Sequence, residues 1–268
     1  MAKKKKYRIF ISIIAVSITV SLHGQIIFQP KPVEYNFKGV VYKTEKIFGG
    51  KITTSGLAIS YKTGKLKSYY NTSYYNFELG YIKDSRERKQ NKNISFPSVG
   101  LSPSFIYGKR NHFINLRLSA GGKKFLSEKT KRRGIAVGFI YEGGASIGLL
   151  KPVTLQVIKN NLETFEPELV EISYSDDNAE QFLAYDDIYG SLGFFNGFTS
   201  TSITVGAHGK IAGHFALGAF EEKVRALEIG LMVDIFPGKV PILAEREGVK
   251  NKFIFLNLYL SLQFGRRK

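Results

Sequence analysis

From Ile254 to Phe264 the chain alternates without a break. Ile254, Leu256, Leu258, Leu260, Leu262 and Phe264 share one face, and Asn257, Tyr259, Ser261 and Gln263 share the other. Side chains of a strand point alternately to its two faces, so this pattern predicts a strand with one wholly apolar side. A soluble strand rarely shows so long a run of large apolar positions on one face. A strand between lipid and a polar interior does, over about 10 residues.

The same period recurs upstream. In 224–236, Leu227, Ile229, Leu231, Val233 and Ile235 oppose Glu228, Gly230, Met232 and Asp234; in 200–219, Ile203, Val205, Ala207, Ile211, Phe215 and Leu217 oppose Thr204, His208, Lys210, Ala212 and His214. Gly134, Gly138 and Gly144 oppose Ile135, Val137, Phe139 and Tyr141, and inward glycines leave room inside a narrow barrel. Ile114, Leu116, Leu118 and Ala120 oppose Asn115, Arg117 and Ser119. Val99, Leu101, Phe105 and Tyr107 oppose Ser98, Gly100, Ser102 and Ser104, and Phe77, Leu79 and Tyr81 oppose Asn76, Glu78 and Gly80. Leu57, Ile59 and Tyr61 mark an earlier strand, whereas 37–48 alternates poorly and is counted as a strand to close the sheet. The expectation is an all-β fold, a transmembrane antiparallel up-and-down β-barrel of about ten strands, with eight or twelve as alternatives. A soluble β-sandwich is the structural rival.

Short connections are expected at Lys62-Thr63-Gly64-Lys65, Lys109-Arg110-Asn111 and Leu150-Lys151-Pro152. Long ones are expected at 83–96, 123–133, 160–198 and 237–251. Alternating short and long connections are the asymmetry of an outer-membrane barrel, whose periplasmic turns are tight and whose outer loops are longer.

Ahead of the barrel at 37–268, the chain opens with Lys3, Lys4, Lys5, Lys6 and Arg8 and an apolar run from Ile9 to Leu22. A charged start followed by an apolar run too short to span is the pattern of a secretory signal peptide, placed at 1–24. Residues 25–36 hold two prolines and no alternation, and read as a periplasmic lead-in arm.

Composition narrows the partners. The chain has no cysteine, which removes a disulfide scaffold and a cysteine-anchored lipoprotein. Its formal charge is +17; without the five positive residues of the leader, 34 basic residues face 22 acidic ones, or +12. Export removes nucleic acid as a partner and leaves outer-membrane lipid and lipopolysaccharide phosphate as the natural counter-charges.

The ending Asn257-Leu258-Tyr259-Leu260-Ser261-Leu262-Gln263-Phe264-Gly265, the His23-Gly24-Gln25 junction and the Asp234–Ile242 hairpin resemble small outer-membrane β-barrel proteins of the Bacteroidota. The resemblance implies insertion into the outer membrane of a Gram-negative cell by the barrel-assembly machinery. Leu258, Leu260, Leu262 and Phe264 of the last strand would be the insertion signal. Many such strands end on an aromatic residue, whereas Gly265-Arg266-Arg267-Lys268 follow here. The resemblance carries no activity with it.

Candidate chemistry falls in three places. The inward registers gather Glu78, Glu142, Glu228 and Asp234 against Arg117, Lys210, His208 and His214. Narrow barrels are filled by side chains and buried charges must be paired, so a plugging charge network is the first expectation. A narrow ion or small-solute channel, or a lipid-directed enzyme using His208 or His214, are the alternatives. No Asp-x-His pair of the omptin kind occurs. Arg86, Arg88 and Lys89 with Lys123, Lys124, Lys129, Arg132 and Arg133 are expected as a basic outer rim able to hold phosphates. Loop 160–198 carries nine Asp or Glu and no Lys or Arg, and is the candidate lid over that rim or contact for other outer-membrane proteins. Calcium at Asp176-Asp177-Asn178 lacks the ligand spacing of a calcium loop. No cofactor or catalytic residue is assigned. The expected function is a non-enzymatic outer-membrane barrel, a structural or accessory subunit of an outer-membrane complex.

Overall fold

A computed structural model describes residues 42–68, 70–96, 100–126, 135–160, 167–217 and 221–268. The leader at 1–24 and the arm at 25–36 lie outside them. Eight antiparallel strands close into a barrel in sequence order: β1 (Thr44–Thr53), β2 (Gly56–Leu66), β3 (Asn71–Ile82), β4 (Asn111–Phe125), β5 (Ala136–Pro152), β6 (Ser202–Ala216), β7 (Lys223–Val240) and β8 (Lys252–Arg267). Closure comes from β1 pairing β8, from Glu45↔Arg267 to Thr53↔Tyr259, which leaves the sheet no edge.

The period-2 pattern decides which side faces out. Phe48, Ile52, Ile59, Ile203, Leu256 and Phe264 are all at least 60% exposed, while the residues between them point inward. An isolated protein in water does not leave such an apolar girdle uncovered. Glycine permits the tight coiling: a Cβ on Gly144 would lie 2.0 Å from the Leu118 carbonyl oxygen, and one on Gly230 would lie 2.2 Å from that of Ile211.

Eight strands replace the expected ten. The alternation at 98–107 is not a barrel strand, and 97–99 lie outside the described residues. Ser95–Phe96 pairs Gly100–Leu101 and Phe105–Ile106 pairs Lys89–Gln90, all outside the barrel. Phe105 there turns into a separate core instead of toward a barrel face. The weak segment at 37–48 becomes a strand from Thr44, and the described part of 200–219 holds a single strand, Ser202–Ala216.

Connections also differ. Lys62-Thr63-Gly64-Lys65 lies within β2 and Leu150-Lys151-Pro152 within β5, because both pair fully with their neighbours. Lys109 and Arg110 close a long connection that leads into β4. At the end of the barrel holding residues 44 and 267, the connections span 67–70, 126–135 and 217–222. At the other, distal end they span 54–55, 83–110, 153–201 and 241–251.

The acidic segment is not an open loop. Thr154–Asn160 continues beyond β5 and is the middle strand of a small sheet, between Pro167–Ser173 and Ile188–Ser191. Phe105, Val153, Leu155, Val157, Phe182 and Ile188 form its core, so a distal cap is folded around its own apolar centre.

Candidate functional site

Each polar side chain of the lumen is placed by strand parity. In β1 the inward positions include Glu45 and Lys51; in β2, Ser60 and Lys62; in β3, Asn76 and Glu78; and in β4, Asn115, Arg117, Ser119 and Lys123. β5 adds Glu142 and Ser146, β6 His208, Lys210 and His214, β7 Glu228 and Asp234, and β8 Asn257, Ser261, Gln263 and Arg267.

Asp234 is the most connected. Arg117 forks onto it, Nε to Oδ1 at 2.9 Å and Nη2 to Oδ2 at 2.7 Å. The Ser146 hydroxyl donates to Oδ1 at 2.7 Å and His208 Nδ1 lies 3.1 Å from the same oxygen. The free arm of Arg117 reaches Glu78 Oε1 at 2.7 Å, and Lys51 holds the other Glu78 oxygen. Next, Glu142 pairs with Lys210, accepts from Asn76 Nδ2 at 3.0 Å and lies 3.7 Å from His208 Nε2. Toward the terminal end Lys62 meets Glu228 at 2.6 Å, with His214 3.5 Å from it. Last come Lys123 and Arg267 on Glu45, at 2.6 and 3.3 Å.

All eight lumen residues proposed from the sequence are therefore inside, in two bonded groups around Asp234 and Glu228, with the group on Glu45 as a third part of the buried lumen. Lys51, Lys62, Glu45 and Arg267 belong to the lumen as well. Parity carried a signal for Lys62 and Arg267, but not for Glu45 and Lys51 in the poorly alternating β1. Lys62 was hidden by the turn-like Lys-Thr-Gly-Lys, and Lys123 by the basic run that follows it. Charge is nearly balanced, because Glu45, Glu78, Glu142, Glu228 and Asp234 face Lys51, Lys62, Arg117, Lys123, Lys210 and Arg267. Unpaired, any of these would be costly to bury.

Above the network the distal mouth is closed by apolar side chains. Connection 241–251 folds back so that Ile242 and Leu243 pack with Ile82, Phe113, Leu150, Phe236, Val240 and Phe255. Arg110 and Asn111 backbone N–H groups both donate to the Ile242 carbonyl, and Asn251 clamps Leu243 through its N–H and carbonyl. At the terminal end Phe125, Ala136, Ala216 and Ala226 cluster.

The geometry bears on chemistry. A hydrolase needs its nucleophile on the base, but the Ser146 hydroxyl is committed to Asp234 rather than to His208. His214 lies against Glu228 and the edge of the Phe125 ring. Among the described residues no cluster of three or more His, Cys, Asp or Glu is placed to hold a metal. At Asp176-Asp177-Asn178 the Asn178 side chain is spent on the turn, accepting from Ser175 N–H and donating to the Ser173 carbonyl.

The basic rim is divided. Arg86, Arg88 and Lys89 are exposed at the distal end, whereas β4 carries Lys123 and Lys124 to the terminal end, because a 15-residue strand separates them from the distal mouth. Lys123 is buried on Glu45, and Lys129, Arg132 and Arg133 lie outside the described residues. Arg86 forks onto Asp84 at 2.8 and 2.9 Å, which holds that carboxyl below its ordinary range. The acidic cap touches the distal basic residues through rings and carbonyls: Lys92 donates to the Tyr185 carbonyl and Arg110 lies 4.5 Å over Tyr174. None of its described carboxylates makes an ion pair there, and Glu163 and Glu166 lie outside the described residues. Leu258, Leu260, Leu262 and Phe264, expected from the resemblance as an insertion signal, all face outward on β8.

No protein-family model matches the chain, and no curated protein matches it. Among solved structures it is similar to Ail, the attachment invasion locus protein of Yersinia pestis, solved in complex with the heparin analogue sucrose octasulfate. The identity is 10% and the TM-score 0.38, over 85% of this chain and 99% of that one.

Proposed function

We propose that the chain is an outer-membrane barrel without catalytic activity, which anchors a folded external cap that other outer-membrane proteins contact. The observation that carries this reading is the contrast between a lumen of buried side chains closed at its distal mouth by an apolar cluster and a cap built around its own core. The exposed apolar girdle supports membrane residence, and longer connections at the end away from the termini support an outward-facing cap. Pro167–Ser173 pairs on one side only among the described strands, and its half-exposed Val170 and Ile172 pack on the cap core. Such an edge can accept a further strand.

Barrel folding and insertion through the assembly machinery, and export by the leader at 1–24, belong to the same reading. The test is native membrane fractionation, then a photo-crosslinking residue at Glu171. Recovery in the outer membrane with a reproducible crosslinked protein is expected. Recovery there without any crosslink overturns the subunit role, and recovery in the soluble fraction overturns the membrane role.

A further inference from the structure

Six lysines are buried among the described residues: Lys51, Lys62, Lys109, Lys123, Lys151 and Lys210. Five have a carboxylate, namely Glu78, Glu228, Glu87, Glu45 and Glu142 respectively. Lys151, 2% exposed, has none among the described residues. Its ammonium lies 3.3 Å from the Pro152 carbonyl and 5.2 and 5.3 Å from the centres of the Phe194 and Phe198 rings. Ring faces and one carbonyl compensate a buried cation only partly. Among the described residues this ammonium has no counter-anion.

Its place in the barrel says which anion is within reach. Lys151 is on the outward register of β5, two residues from Leu149, whose cross-strand neighbours Ile114 and Ile203 belong to the apolar girdle. It therefore sits where the girdle ends at the distal rim, the level of lipid headgroups in an outer-membrane barrel. His112, its partner across β4, is bonded through Nδ1 to the Tyr81 hydroxyl at 2.7 Å, which also accepts from Lys109 at 3.0 Å. The connection from the cap to β6 crosses this spot. Phe194 packs edge-on against His112 at 5.0 Å, Gly197 takes the left-handed turn at φ 80°, and Phe195, 83% exposed, stacks with Phe198. Phe198 is half exposed, so a rotamer change uncovers the ammonium on the lipid side.

We propose that Lys151, with His112 beside it and the Phe194–Phe198 loop over it, is a binding site for the phosphate of an anionic lipid headgroup in the outer leaflet, with Phe195 among the acyl chains. The ammonium supplies a charge-assisted hydrogen bond to phosphate, and the phenylalanines supply the apolar contact. This rests on the outer-membrane reading above.

The sequence holds no tryptophan, so Phe195→Trp gives a single fluorescent reporter. The full chain carrying it is refolded in maltoside micelles, which contain no phosphate, and titrated with lipid A, with dephosphorylated lipid A and with inorganic phosphate. A blue shift with phosphorylated lipid A alone is expected, and Lys151→Met should weaken that response about tenfold. Lys151→Met should also match or exceed the parent's unfolding midpoint in maltoside, since it removes an unpaired buried charge, and fall below it with lipid A. An equal response to dephosphorylated lipid A, an unchanged response in Lys151→Met, or destabilisation of that variant in both media overturns the site. A full response to inorganic phosphate overturns the lipid as its source. Prior recovery of the native protein in the outer membrane separates failure of the site from failure of the membrane reading.

Discussion

Asp234 takes four donors into one carboxylate from three other strands, and removing its charge strands several groups at once. Asp234→Asn keeps the size but leaves the Arg117 fork facing a neutral amide that also presents donors of its own. The expected loss is roughly 3–5 kcal/mol, the range for breaking one partner out of a buried ion pair. Ser146→Ala removes one neutral donor and should cost only about 1 kcal/mol. Urea unfolding in micelles, followed by the gel shift between folded and unfolded barrel, checks both; a loss for Asp234→Asn no larger than for Ser146→Ala would deny Asp234 its central place. The lumen partners were legible wherever a residue stood in a clean alternation, as with Arg117 and Glu228. They were not legible in β1, where inward Glu45, Ile47, Gly49 and Lys51 mix charge, hydrocarbon and glycine in one register.

On the scale of a strand, β8 is the clearest element because an unbroken apolar row takes its outward face and the packed lumen takes the other. Leu260 is near its centre, between Ile52 of β1 and Ile229 of β7 on the outward face. Leu260→Lys should cost roughly 2–4 kcal/mol if that position lies at the bilayer midplane, and a lysine nearer the rim, at Phe264, should cost less. The gradient is the check, measured as folding free energy in vesicles; equal costs at both positions would place the girdle differently. Strand faces were readable at this scale because a period of two survives any change in strand length. Strand ends were not. Lys62-Thr63-Gly64-Lys65 has the composition of a turn yet pairs Asn76 through Ser73 in full register, so neighbours in space overrode local propensity. Alternation alone also placed 98–107 in the barrel, since a short apolar period fits a cap strand as well as a membrane strand.

At the level of the whole molecule, the open question among the sequence's alternatives was whether the charged lumen conducts. Two barriers stand in series along the axis. The distal one is apolar, with Phe113, Phe236 and Phe255 in mutual ring contact at 5.5 to 6.1 Å beneath the folded-back 241–251 connection. The second is the ion-pair network, whose members are held by partners on several strands. Transport through the barrel requires passing both, and the higher of two barriers in series limits the flux. Planar-bilayer recordings of the intact chain should therefore show no steady conductance above lipid background. Cutting 241–251 to a short turn should leave the barrel silent, since the Arg117–Asp234–Glu78 contacts remain across the waist. Steady ion-selective current from the intact chain would mean that the network opens and would restore the channel reading. Current that appears only in the shortened chain would show that the apolar mouth, and not the ion pairs, is what seals the lumen.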